Sequence, residues 1–192
     1  MILISISGVT GDSLMQNYSN YFTAESFSFS VSRELADSAK GGTKDMHIGV
    51  AEMQEISVSK SSDSATIPLA KWAIAGTQIA GPVVIKFVET GTKSDGKGVH
   101  INFMTVLLDR CFVKSWSVSG DADSRPTEEV TFWFQYFALK YAQFKGDKLD
   151  TDQYGSWDHV TNKPWSDASG KHKDLFKVEM ADVKESEDTG TT

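Results

Sequence analysis

The sequence predicts a mainly β protein, a β-barrel or sandwich of roughly eight strands with one α-helix. Three observations carry that expectation. Residues 128–144 are dense in β-branched and aromatic side chains, with Val130, Phe132, Phe134 and Tyr136 on one side and Thr131, Trp133, Gln135 and Phe137 on the other. Two further runs alternate with a period of two: Ile2, Ile4 and Ile6 against Leu3, Ser5 and Ser7, and Phe27, Phe29 and Val31 against serines. Only one stretch has convincing helical spacing. A strand that is apolar on both faces, as 128–144 is, lies between layers, or has one face inside its subunit and the other against a neighbouring subunit.

Size and charge narrow the class. A chain of 192 residues is most economically one core-bearing domain, 1–165, followed by a polar, flexible extension, 166–192. A net charge of -7 with no basic patch argues against nucleic-acid binding through phosphates. The one cysteine, Cys111, cannot make an internal disulfide and reads as a small buried hydrophobe. The start, Met1-Ile2-Leu3-Ile4-Ser5-Ile6, lacks the basic region and apolar core of a signal peptide, and no run is long enough to span a membrane as a helix.

In chain order, the first strand ends at Gly8 and Gly11, and the second is 27–32. Residues 36–45 have no apolar period and contain Gly41 and Gly42, so they read as a long exposed loop of the kind that makes contacts. Strands follow at 47–53 and 54–60. Asp63, Ser64 and Thr66 are N-cap candidates for the helix, Pro68 suits its first turn, and Leu69, Trp72, Ala73 and Gly76 share one face. Strand 83–89, a turn at 90–98 around Asp95-Gly96, and strands 99–108 and 111–118 on either side of Asp109-Arg110 lead to the polar loop 120–127. Beyond Gly146 the composition turns polar. Tyr154, Trp157 and Trp165 are the anchors there, with Leu175, Phe176, Val178 and Met180 available to dock on the body.

Catalytic and metal motifs are thin. Gly11-Asp12-Ser13-Leu14 spells a serine-hydrolase motif, but that chemistry needs a base and an orienting acid, and no histidine here follows an aspartate by three residues. His47, His100, His159 and His172 are scattered without metal-ligand spacing. Asp150-Thr151-Asp152 opens like a calcium loop, yet Tyr154 and Thr161 stand where oxygen ligands belong. Asp121, Asp123, Glu128 and Glu129 read as a charged loop before a strand. No catalytic residue, cofactor or metal is therefore assigned.

The order of segments resembles the haemolysin-coregulated protein (Hcp) family of type VI secretion tube proteins. The resemblance runs through the 8–13 turn, the glycine pair Gly41-Gly42, and Ser57-Val58-Ser59-Lys60 before the helix. Its densest part is Phe112-Val113-Lys114-Ser115-Trp116-Ser117-Val118-Ser119-Gly120 followed by Ser124-Arg125-Pro126-Thr127-Glu128-Glu129-Val130. Gly155-Ser156-Trp157 with Thr161-Asn162-Lys163 is similar to a tail that some members carry. The chain departs from the family pattern between Gly11 and Phe27 and beyond Trp165.

The resemblance implies a β-barrel-like, non-enzymatic structural protomer that forms hexameric rings. Rings stack into a hollow tube with a spike protein at its tip inside a contractile sheath, and small effectors travel in the lumen. Assembly would occur in the bacterial cytoplasm and secretion would follow without a signal peptide or membrane insertion. The loop with Ala36, Lys40, Gly41, Gly42, Thr43, Lys44 and Asp45 is the candidate ring-stacking element, its lysines meeting acidic surface on the next ring. The alternatives are a tail-tube protein of a phage or other contractile particle and, from another class, a small serine hydrolase using Ser13.

Overall fold

The computed structural model describes residues 1–36, 47–166, 168 and 170–183. Eleven strands and one helix occur among them: β1 (Ile2–Ile6), β2 (Phe22–Ala24), β3 (Ser26–Ser28), β4 (Val31–Ala36), β5 (His47–Met53), β6 (Ile56–Ser61), α1 (Thr66–Ala75), β7 (Val83–Thr92), β8 (Gly98–Ser119), β9 (Thr127–Lys145), β10 (Lys148–Asp158) and β11 (Glu179–Asp182). The mainly β architecture with a single helix is as the sequence predicts.

The main sheet runs β2-β1-β7-β8-β9-β6-β3 and is antiparallel at every step. Its two ends are successive pieces of one segment. β2 and β3 are separated only by Glu25, whose N–H donates to the Ser59 carbonyl of β6 at 2.8 Å. The sheet therefore closes on itself as a barrel, which leaves no edge along its girdle. Ile4, Ile6, Ile56, Val58, Ile85, Val106, Leu108, Val130 and Phe132 fill the interior. α1 closes one end: Leu69 is fully buried, with Trp72 and Ala73 packed beside it, as the helical spacing predicts. Gly76 at φ 62° ends the helix, a conformation that costs glycine little.

β8 and β9 outrun the barrel. Residues 98–119 form one strand where two were expected, because Asp109-Arg110 does not break the ladder: Arg110 takes φ 50° between the pairs Asp109–Tyr136 and Cys111–Phe134. This twist exchanges the two faces. On β9, Val130, Phe132 and Phe134 point into the barrel, but beyond Gln135 it is Phe137 and Leu139 that pack on the core. Tyr136 and Ala138 turn outward, which corrects the uniform alternation read from sequence. The outward face in that half is covered by the chain itself, with Trp165, Ala168 and Phe176 packed on Val84, Leu107 and Ala138.

Other boundaries also differ from expectation. The predicted strand 27–32 is broken at Phe29-Ser30, and Val31 is exposed as the start of β4. Among the described residues, β4 and β5 pair only with each other, as an arm outside the main sheet. The polar stretch after Gly146 forms β10, an unforeseen strand registered on β9 from Lys148–Lys145 to Asp158–Tyr136. The described part of the C-terminal extension carries β11, which pairs with Val99–Asn102 at the start of β8.

Candidate functional site

The most tightly built polar group lies where α1 meets the barrel. Lys60 stands in phase with Ile56 and Val58 on β6, and Glu128 in phase with Val130 and Phe132 on β9, so the pleat carries both inward and both side chains are fully buried. The Lys60 ammonium meets Asp63 at 2.8 Å and Glu128 Oε2 at 3.4 Å, and donates to the Ser61 carbonyl at 2.9 Å. Glu128 also accepts from the Thr66 hydroxyl at the start of α1 and from Trp116 Nε1 at 3.1 Å on β8. Burial alone would push the Glu128 carboxyl up. Hydrogen bonds from Thr66, Ser62 and Trp116, with the Lys60 charge, outweigh it and hold the group below its ordinary value. Ser62 N–H donates to the Pro126 carbonyl at 2.9 Å, so the loop before β9 is tied to the same point.

This corrects the placement of Glu128 in a charged loop. The signal was present in the alternation: Lys60 and Glu128 each occupy an inward position at the end of an apolar row. The N-cap candidates act differently from expectation as well. Ala65 is the N-cap and no side chain caps it; Asp63 Oδ1 accepts from Ala65 N–H at 2.8 Å, and Thr66 reaches Glu128. The arrangement fixes α1, β6, β8 and β9 to one another as a structural lock, and Ser61, Ser62 and Asp63 at its outer side line an open, polar cleft of about 290 Å³ with Asp12, Thr23, Glu25 and Arg125.

Ser13 lies in the irregular loop between β1 and β2. Gly11 bridges Asn20, and a Cβ at position 11 would fall 2.3 Å from the Tyr21 backbone, which explains the glycine. The Ser13 hydroxyl accepts from Met15 N–H at 3.2 Å. Two of the histidines have other partners: His100 Nδ1 donates to the Gln16 carbonyl at 3.2 Å, and His172 Nε2 is 3.1 Å from Asp109 Oδ2. Burial pushes the Cys111 thiol up, away from thiolate chemistry. Asp150 and Asp152 lie along the extended β10, where they cannot curl around an ion.

The remaining candidates are surfaces. The β4–β5 arm exposes Val31 and Val50 and leads toward the stacking loop. Of that loop, only the backbone of Ala36 belongs to the described residues; Lys40, Gly41, Gly42, Thr43, Lys44 and Asp45 lie outside them. Trp157 Nε1 donates to Asn162 Oδ1 at 3.1 Å and Asp158 bridges Lys163, so the Thr161-Asn162-Lys163 segment is the turn that closes β10.

The chain matches the family model described as type VI secretion system effector, Hcp, over residues 3–141. A comparison with curated proteins found no match. Among solved structures, one described as a type six secretion system protein superposes with a TM-score of 0.73 at 21% identity, covering 85% of this chain and 98% of that one. Hcp1 from Salmonella typhimurium gives 0.63 at 19%, with 85% and 97% covered. A type VI secretion system effector from Yersinia pestis gives 0.60 at 17%, with 82% and 99% covered. At these identities the superpositions establish a common fold. They also show that each of these structures fits almost whole onto part of this chain.

Proposed function

We propose, from the premise that this chain belongs to the type VI secretion system Hcp family, that it is an inner-tube subunit whose work is assembly rather than catalysis. Copies close into a hexameric ring, and rings stack into a tube that is expelled with a spike protein by a contractile sheath. Small effectors ride in the lumen. Residues 1–165 are the tube-forming unit in this reading and 166–192 an addition to it. The protein is assembled in the bacterial cytoplasm and then secreted.

The observation that carries the reading is the extent of the family match. Residues 3–141 take in all or most of every strand of the closed barrel, together with the helix and β4 and β5. The arm adds physical support. A two-stranded ribbon is at best marginally stable alone in water, so β4–β5 has reason to pack on another copy, and the loop 36–45, which lies between its two strands in sequence, is the proposed ring-stacking contact. Family membership favours the secretion tube over a phage tail tube.

The test is light scattering behind a sizing column, with electron microscopy of the peak. Closed rings of several copies are expected. A strict monomer at high concentration would overturn the assembly reading. Purified protein is also expected to show no esterase turnover that disappears with Ser13→Ala; turnover lost in that variant would restore the hydrolase alternative.

A further inference from the structure

We propose that residues 177–182 form a strap that opens and closes over Lys86 on the outer face of the barrel, hinged at Phe176, while the barrel stays folded. Lys86 is 6% exposed, on the outward row of β7 with Val84 and Val88. Its ammonium lies 5.6 Å from the centre of the Tyr18 ring and 3.7 Å from Glu179 of β11, a half-exposed carboxylate. The strap thus carries the counter-charge of a lysine that the barrel buries.

The two ends of the C-terminal segment are held unequally. Before the hinge, Trp165 stacks on Tyr136 with ring centres 5.0 Å apart, and Ala168 and Phe176 are buried on the outer face. After it, no residue of 177–182 is fully buried: Val178, Met180 and Ala181 are only partly covered, and the remaining hold is polar. Asn102 Nδ2 and Thr105 Oγ1 donate to the Lys177 carbonyl at 2.8 and 2.7 Å, Asn17 Nδ2 donates to the Asp182 carbonyl at 3.3 Å, Lys93 pairs with Asp182, and β11 pairs with β8 over four residues.

Closing this tip buries polar groups that it does not satisfy. Tyr18 Oη and Asn102 Oδ1 are buried with no hydrogen-bond partner among the described residues, and burial holds the Lys86 ammonium below its ordinary range despite Glu179. Lifting the tip returns these groups to water at the loss of a short ladder, which makes it a region of low local stability. Opening also bares the β8 edge at Val99–Asn102, because β9 is registered on β8 only from Met104 onward. A bare edge pairs with other strands, so the strap sets when this edge is offered. The inference holds whether or not rings form.

Hydrogen exchange and amine acetylation on the full chain test it. Amides of 179–182, and those of 99–102 that face β11 rather than β7, are expected to exchange about tenfold or more faster than those of the β8–β9 ladder at 106–113. Lys86 is expected to acetylate about tenfold or more faster than Lys60, and Glu179→Gln to raise the Lys86 rate several-fold while leaving Lys60 unchanged. Strap amides exchanging at the ladder's rate, or both lysines accelerating together in Glu179→Gln, would overturn the proposal.

Discussion

Lys60 and Lys86 are both removed from water and both face a glutamate, yet the structure treats them in opposite ways. Lys60 and Glu128 are each fully buried, and Asp63, the Ser61 carbonyl, Thr66 and Trp116 use up the donors and acceptors that the pair leaves over. Lys86 meets Glu179 at 3.7 Å, on a strand held over four residues, beside two buried polar atoms that lack partners among the described residues. A buried charge acts as a lock only when its surroundings complete the network; an incomplete network makes the segment above it easy to lift.

The sharpest way to break the contrast is at the lock. Glu128→Leu strands Lys60 in the barrel and is expected to cost about 3–5 kcal/mol, read as a fall in denaturant midpoint at unchanged m-value. Adding Lys60→Met should recover most of that loss, because an apolar pair needs no network. A single-variant loss below about 1 kcal/mol would mean that Asp63 and the Ser61 carbonyl suffice for Lys60. The pH dependence follows from the carboxyl. Its folded value is lowered, so the unfolded chain binds the proton more readily; the stabilisation is present above the ordinary carboxylate range and is lost as pH falls through the folded value.

The same change at the strap should do far less. Lys86→Met removes a charge whose burial is poorly offset, so stability is expected to stay within about 1 kcal/mol of wild type or to rise, whereas Lys60→Met alone should cost several. Equal losses from the two variants, measured in the same denaturant series, would erase the distinction between lock and strap.

The legibility of the two regions in the sequence differs for a related reason. Alternation revealed β1, β6 and β9, but it was not carried on to Lys60 and Glu128, which continue the inward rows, because a charged residue invites a surface reading. The helix face through Leu69 and Trp72 was equally plain. β10 was not, because Lys148, Asp150, Asp152 and their neighbours are exposed on both faces and the strand exists through its pairing with β9. Nor could alternation foretell the exchange of faces at Arg110, which depends on one residue's positive φ. The strap and its hinge were visible only as Leu175, Phe176, Val178 and Met180 amid polar residues, since the partners come from β8 and from the loop at Asn17, far away in the chain.

The smallest effect is expected at Tyr18, and it sharpens the comparison from the barrel side. Its hydroxyl is buried without a partner among the described residues, so Tyr18→Phe removes no hydrogen bond seen there; at neutral pH its stability should change by less than about 1 kcal/mol, in either direction. Alkali separates the two proteins. Burial, with the charge of Glu179 adding to it, pushes the Tyr18 phenol up to about 12, so between the ordinary value of 10.0 and that point the unfolded chain loses the proton while the folded chain keeps it. The wild type therefore loses stability as pH rises through this window, and Tyr18→Phe should lose less, in melting curves taken at stepped pH. Should the two curves coincide, the phenol is already solvated, and the strap spends enough time open to let water reach it.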